Sequence, residues 1–340
     1  MKHIPGAEGM RGIACLIVVI LHNTGPFIPA IAQYTRGTEK YGVWIFFVLS
    51  AFLLTCKILD NERSLPALGS YYISRTFRII PPFIVAAYTY YIFGYFGFNK
   101  FLEIISFNDT FMHLWTIPVE FKFYFALPFL TWIYFGLYKR YGIKMVMLAT
   151  IAYAAAIQFF YPYSDTIENS IATTQYSSIF VYGITAAIIY LEIKSKPSLW
   201  LQNLLGAAIL LFLISLAPGL STTVYKLDTP INLMNKYSIL GIPFAILILL
   251  ACSDRNFVGK ICNLSAFRFV GKFSFSIYLY HWLFLSLDTK LFGGNYFTFL
   301  SSITFSLILG IAAYYLIERP CNALRHYLEV NIRTRLSRSY

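Results

Sequence analysis

The run RGIACLIVVILHN, residues 11–23, places a guanidinium at one end of an apolar stretch and an imidazole at the other. Extended to residue 32 it is long enough to cross the hydrocarbon core of a bilayer, which takes about 20 apolar residues. In hydrocarbon no water satisfies backbone N–H and C=O groups, so the segment must be helical. Arg11 then starts the span, and His22 lies about 16 Å further along at 1.5 Å rise per residue. That depth is near the middle of a core about 30 Å thick. No small-residue cleavage site follows a short apolar core here, so the segment is read as a retained span and not as a secretory signal.

Nine further stretches share this character: 42–58, 79–97, 116–138, 143–161, 175–192, 200–217, 237–252, 273–289 and 297–317. Hydrophobic residues make up 58% of the 340 and charged residues only 12%, about half the charge of a soluble domain. The expectation is an all-α integral membrane protein of about ten transmembrane helices. Lysine and arginine mark cytoplasmic loops. With the N-terminus inside, twenty of the 27 fall on the inner side, six outside and Lys122 within a span, which puts both termini in the cytoplasm. The net charge of +12 is thereby explained by topology, and no nucleic-acid partner is implied. The loops around Ser164 and Ser195 are expected on opposite faces. Five cysteines without CxxC spacing give neither a disulfide framework nor a structural zinc site.

Three groups of residues interrupt the apolar pattern. His281, eight residues into the ninth stretch, lies about 12 Å deep on the helical rise, close to the depth of His22. Ionisable groups inside a membrane are costly and mark function by default. The alternative for both is a neutral imidazole that ties two helices together. Arg75 and Arg78, in YYISRTFRIIPPF at 71–83, are three apart and share one helix face. They are suited to bidentate phosphate binding, or they are ordinary inner-face anchors; Pro81 and Pro82 imply shaped backbone just beyond them. In HLWTIPVEFKFYFALP, residues 113–128, Pro118 is expected to break regular helix and Trp115 to sit at the interface. Glu120 would orient an imidazole or bind a sugar hydroxyl, unless it only pairs locally with Lys122 or His113.

In this order, EGMRGIACLIVVILHN, VWIFFVLSAFLLT, YYISRTFRIIPPF, HLWTIPVEFKFYFALP, FSFSIYLYHW and YYLIERP resemble the membrane-bound acyltransferase family 3, the bacterial O-acyltransferases of cell-surface carbohydrates. The resemblance covers about residues 5–320. It implies a ten-helix membrane domain, placed over 1–320; some members carry an extracytoplasmic hydrolase-like domain after it, but with only about twenty residues following the tenth stretch, a short basic cytoplasmic tail at 321–340 and no such domain are expected here. It also implies a multi-pass protein of the bacterial inner membrane. The donor it implies is acyl-CoA, most simply acetyl-CoA, bound as a substrate and not as a resident cofactor. The acceptor is a carbohydrate hydroxyl of O-antigen, exopolysaccharide or an undecaprenyl-linked pool. His22 matches the family's catalytic histidine, Arg11 the arginine ahead of it, and Arg75 and Arg78 its paired arginines.

The expected chemistry is acyl transfer to a hydroxyl, with His22 as general base and Glu120 holding its tautomer. A second route, in which His22 carries the acyl group covalently, stays open. Arg11, Arg75 and Arg78 are assigned to the CoA phosphates, and Trp115, Tyr278 and His281 to the acceptor. The competing reading is a carrier or flippase for a lipid-linked or acylated saccharide, with intramembrane His and Glu as a proton relay.

Overall fold

The computed structural model describes residues 4–61, 63–162, 165, 167, 169–192, 197–226, 238–292 and 295–336. Ser164 and Ser195 lie outside these described residues, as do Lys2, Lys194, Lys196, Lys236 and Arg338, which entered the charge count. The chain is all-helical, with no strand among the described residues. Each of the ten apolar stretches overlaps a helix: α1 (Pro5–Phe27), α3 (Lys40–Asp60), α4 (Leu65–Ile92), α6 (Thr116–Tyr141), α7 (Ile143–Phe160), α8 (Ser177–Glu192), α9 (Leu199–Ser215), α11 (Gly241–Ala251), α13 (Ser265–Phe292) and α14 (Tyr296–Ala313). Further helices link or extend them: α2 (Pro29–Thr35), α5 (Phe98–Ile105), α10 (Pro218–Thr223), α12 (Phe257–Cys262) and α15 (Arg319–Leu336).

Among the described residues, five helices qualify as membrane spans by length and apolarity together, among them α1, α3 and α7. Three others, α4, α6 and α13, run 28, 26 and 28 residues and are therefore long enough. They fall outside that set because polar residues interrupt them, and these residues include Arg75, Arg78, Glu120 and His281. These three helices share the site with α1 and α3, which carry Arg11, His22 and Lys57.

The polar ends of the helices follow their sequence. Ser64, Ser198 and Asn256 each accept a hydrogen bond from the backbone N–H three residues on, and Asn295 with Thr298 forms a capping box. These satisfy donors that a helix start otherwise leaves unpaired. Pro118 does not break a helix. A 3₁₀ turn at Met112–Trp115 leads into α6 at Thr116, so Pro118 occupies the first turn, where its missing N–H would have had no partner anyway. Likewise α4 continues through Pro81 and Pro82 and begins well ahead of residue 79, which leaves Arg75 and Arg78 inside a helix and not at its end. Gly142, with φ +77°, is the single residue between α6 and α7. Its backbone conformation is one that side chains resist.

α1 is the central helix, packed most extensively on α13 and also on α3, α12 and α14. At its crossing with α13 the backbones touch through glycine. A Cβ added at Gly12 would lie 1.9 Å from the Phe267 carbonyl oxygen, and one at Gly271 would lie 1.9 Å from that of Glu8. Small residues permit such close approach between apolar helices. Buried hydroxyls tie the bundle further: Thr55 meets Thr131 at 3.2 Å and Thr150 meets Thr185 at 2.6 Å. Tyr41, Tyr71 and Tyr90 donate to the main-chain carbonyls of Leu213, Tyr124 and Leu279 on neighbouring helices. All five cysteines are free thiols.

Residues 321–336 of the expected tail belong to α15, reached from α14 through a π-helical turn at Tyr314–Glu318 and packed against α4. In that turn Glu318, 5% exposed, accepts a 2.7 Å hydrogen bond from Ser276 of α13.

Candidate functional site

Two polar centres lie next to each other in the bundle. The first is a cavity of about 510 Å³, within the range of small-molecule sites. Arg11 from α1, Lys57 from α3, Arg75 and Arg78 from α4 and Arg325 from α15 line it, against the acids Glu8 and Glu120. Five cationic groups facing two carboxylates leave a lining charge of +3. Glu8 leans out toward Arg268 at 3.7 Å, and Glu120 accepts a hydrogen bond from Tyr124, one turn along α6. Arg75 is buried; its Nη2 donates to Ser74 Oγ at 3.0 Å, while its Nε has no hydrogen-bond partner. A buried guanidinium N–H left unpaired is costly, and a bound anion would satisfy it. The remaining wall is apolar and includes Phe46, Phe47 and Leu54.

The second centre is a knot of three imidazoles around Trp282. The rings of His22 of α1 and His281 of α13 are nearly parallel, edge to edge, with centroids 5.2 Å apart and 7° between planes, and His22 Nδ1 lies 3.0 Å from His281 Nε2. The Trp282 ring meets His22 edge-on at 5.1 Å. His113, in the turn before α6, packs 4.5 Å from the His281 ring.

The hydrogen bonds define the tautomers. His281 Nδ1 faces the Tyr278 carbonyl at 2.8 Å; a carbonyl only accepts, so Nδ1 carries the hydrogen. In a neutral ring Nε2 is then bare, and it accepts from His22 Nδ1–H. The lone pair of His22 is thereby directed to Nε2, which is free to act. By the same reasoning His113 Nε2 donates to the Leu279 carbonyl at 3.1 Å. Its Nδ1 is bare, buried and without a hydrogen-bond partner.

Tyr278 divides the two centres. Its ring packs edge-on against Phe46 on the cavity side and against His113 on the other, at 6.1 and 5.3 Å. Its hydroxyl donates to the His113 carbonyl at 2.7 Å and accepts from Thr116 at 3.0 Å.

Arg11, Arg75, Arg78, Glu120 and Tyr278 thus share the cavity, and His22 and His281 share the imidazole knot. The expected pairing of Glu120 with His22 is replaced: His281 is the partner of His22, and Glu120 is held among the arginines by Tyr124. Trp115 is not at the membrane interface. It is 2% exposed, enclosed by Trp44, Phe47 and Tyr176, with the Lys40 ammonium 5.2 Å over its ring. A sugar has no open ring face there to stack on.

Three members of the site were not singled out from sequence. His113 belongs to a turn without periodicity, though a third histidine beside a tryptophan was a visible signal. Trp282 adjoins His281 directly. Arg325 was hidden among the basic residues taken for a tail. The loop that delivers His113 is pinned by an ion pair between Lys100 and Asp109, and hydrogen bonding to that ammonium holds the Asp109 carboxyl below its ordinary range.

The sequence model of the family described as "Acyltransferase domain" matches residues 4–319. A candidate O-acetyltransferase of Staphylococcus aureus (strain COL) is 23% identical over 364 aligned residues, covering 94% of this chain and 57% of the relative. A candidate peptidoglycan O-acetyltransferase of Bacillus subtilis (strain 168) is 22% identical, with 94% and 55% covered. The peptidoglycan O-acetyltransferase of Listeria monocytogenes (serovar 1/2a, strain EGD-e) is 24% identical, with 85% and 50% covered. The chain therefore spans about half the length of the curated relatives it matches. No solved structure matches it.

Proposed function

The chain belongs to the acyltransferase-domain family, and on that premise we propose that it is an integral membrane O-acetyltransferase which moves an acetyl group from acetyl-CoA to a carbohydrate hydroxyl of the cell envelope. The observation that carries this reading is the adjacency of an arginine-rich cavity to an imidazole whose Nε2 lone pair is free. Arg11, Arg75 and Arg78 hold the CoA phosphates, and the pantetheine arm runs along the apolar wall toward Tyr278. The hydroxyl of the acceptor approaches His22 Nε2, which takes its proton as the oxygen attacks the thioester carbonyl. The tetrahedral intermediate collapses with loss of the CoA thiolate, and the proton on His22 Nε2 passes to that sulfur. One ester forms, one thioester breaks, and His22 is restored. His281, its own tautomer held by the Tyr278 carbonyl, supplies the orientation expected of a carboxylate.

The acceptor belongs to the cell envelope, and the names of the Bacillus and Listeria relatives make peptidoglycan the first candidate. The test compares purified envelope glycans by mass spectrometry with and without the gene. Loss of an acetyl mass from one glycan supports the reading. Unchanged glycans, together with transport of a saccharide that ignores acetyl-CoA, would support a carrier instead.

The reading requires the cavity mouth to face the cytoplasm, with ten spans and both termini inside. Cysteines placed at the exposed positions Asn61 and Ser106, in a background with Cys252 and Cys321 replaced by serine, test it. An impermeant thiol reagent on intact spheroplasts is expected to label position 106 and spare 61. Reversed labelling puts the arginines on the wrong side for cytoplasmic CoA.

Donor binding makes a second prediction. Arg75→Lys keeps the charge and loses the planar fork. A charge-assisted hydrogen bond contributes about 1.5–3 kcal/mol, so the KM for acetyl-CoA is expected to rise roughly 10- to 100-fold while the acceptor KM stays put. Unchanged donor kinetics would make Arg75 a topology anchor.

A further inference from the structure

Arg325 enters the cavity from an element that the proposed chemistry does not use. Helix α15 packs against α4, and this brings Arg325 into the same wall as Arg75 and Arg78. Its Nε is 3.5 Å from Glu329 Oε1, one turn along α15. Yet neither atom makes a hydrogen bond, and both are shielded from solvent. This guanidinium shares a wall with two others, and its ion pair with Glu329 is not closed by a hydrogen bond, so it keeps donors for an anion in the cavity; like charges at close range in a partly desolvated cavity repel one another.

Its position along the fold says which anion. Ser306 of α14 donates to the His281 carbonyl at 3.2 Å and so marks the level of the imidazole pair. From Ser306 to Arg325 the chain descends nineteen residues of near-continuous helix, about 28 Å of rise. From His22 to Arg11 the corresponding path along α1 is about 16 Å. By helical path Arg325 therefore lies farther from the imidazoles than Arg11 does. Acetyl-coenzyme A presents a neutral thioester first, then the diphosphate at the end of the pantetheine arm, then the ribose 3′-phosphate beyond it.

We propose that Arg325 is the specificity residue for the 3′-phosphate of the donor, so that α15 makes the cavity select coenzyme A over acyl carriers that end at the diphosphate or earlier. This rests on the acyl-CoA reading above. It assigns to α15 a recognition role that its basic composition conceals.

The experiment uses the full chain in nanodiscs with two donors, acetyl-CoA and 3′-dephospho-acetyl-CoA. Wild type is expected to show a KM for acetyl-CoA roughly tenfold below that for the dephospho donor. Arg325→Gln should raise the first and leave the second, closing the gap with kcat unchanged. Arg325→Lys, which keeps the charge, should retain part of the gap and guards against a general folding effect. An equal rise with both donors, or a gap that survives in Arg325→Gln, overturns the proposal. A wild type that treats the two donors alike overturns it too but leaves the acyl-CoA reading standing, whereas a wild type that accepts no acetyl-CoA removes both.

Discussion

His22→Ala is expected to fold, insert and bind donor like the wild type while losing about 10²- to 10⁴-fold in kcat, the range contributed by a positioned general base. Donor affinity should survive because the cavity wall does not include His22. Acetyl-CoA should therefore still protect the variant thermally, and acceptor turnover alone should collapse. A variant with more than a small fraction of wild-type kcat would remove His22 from the chemistry. His281 extends the test. Since its Nε2 accepts from His22 Nδ1, His281→Phe removes the contact that selects the active tautomer but not the base itself. Mispositioning of a catalytic group costs up to about 10²-fold, so the expected loss is smaller than for His22, roughly 10- to 100-fold. Equal losses at the two positions would mean that the pair acts as one base, with its proton shared.

The pairing of these two rings illustrates what the amino-acid order makes legible. His22 and His281 share a depth when each is counted from the inner end of its own span, and depth is a one-dimensional quantity that helical rise delivers directly. That they face each other is not one-dimensional. It depends on which side of α1 meets α13, and the glycines at 12 and 271 set this. Arg75 and Arg78 were legible for a similar reason, because spacing of three places two side chains on one face whatever the tertiary context. Glu120 was legible as an intramembrane carboxylate, but its partner was not: Tyr124, four residues on in the same helix, takes it, and an aromatic stretch gives no warning of that. Trp115 was misplaced because tryptophan is enriched both in interface belts and in cores, and only packing separates the two. His113 depends on a loop folding back between α5 and α6, where no period exists to read. Arg325 shows the opposite failure: an arginine in a basic run looks like topology until the helix that carries it is seen against α4.

Gly12→Val is expected to abolish the fold and the activity together. The added Cβ alone would stand 1.9 Å from the Phe267 carbonyl oxygen and 2.9 Å from the Gly271 nitrogen. Both are main-chain atoms of α13, which cannot rotate aside as a side chain could. Relief requires α1 and α13 to separate, and overpacking even where side chains can adjust costs about 1–3 kcal/mol. Here the separation also pulls His22 from His281, held at 3.0 Å, and carries Arg11, the residue beside Gly12, out of register with Arg75 and Arg78. Gly136→Ala, on the exposed side of α6, is the control, because no atom outside its own helix turn and chain neighbours lies within 4 Å of a Cβ at that position. An exposed helical alanine in place of glycine is worth about 1 kcal/mol of stability. The measurement is monodispersity and thermal midpoint in detergent alongside transfer activity. The expected result is loss of both for Gly12→Val and retention of both for Gly136→Ala. A monodisperse, fully active Gly12→Val protein would show that the close crossing of α1 and α13 does not set the site, and the geometric account of the imidazole pair would fall with it.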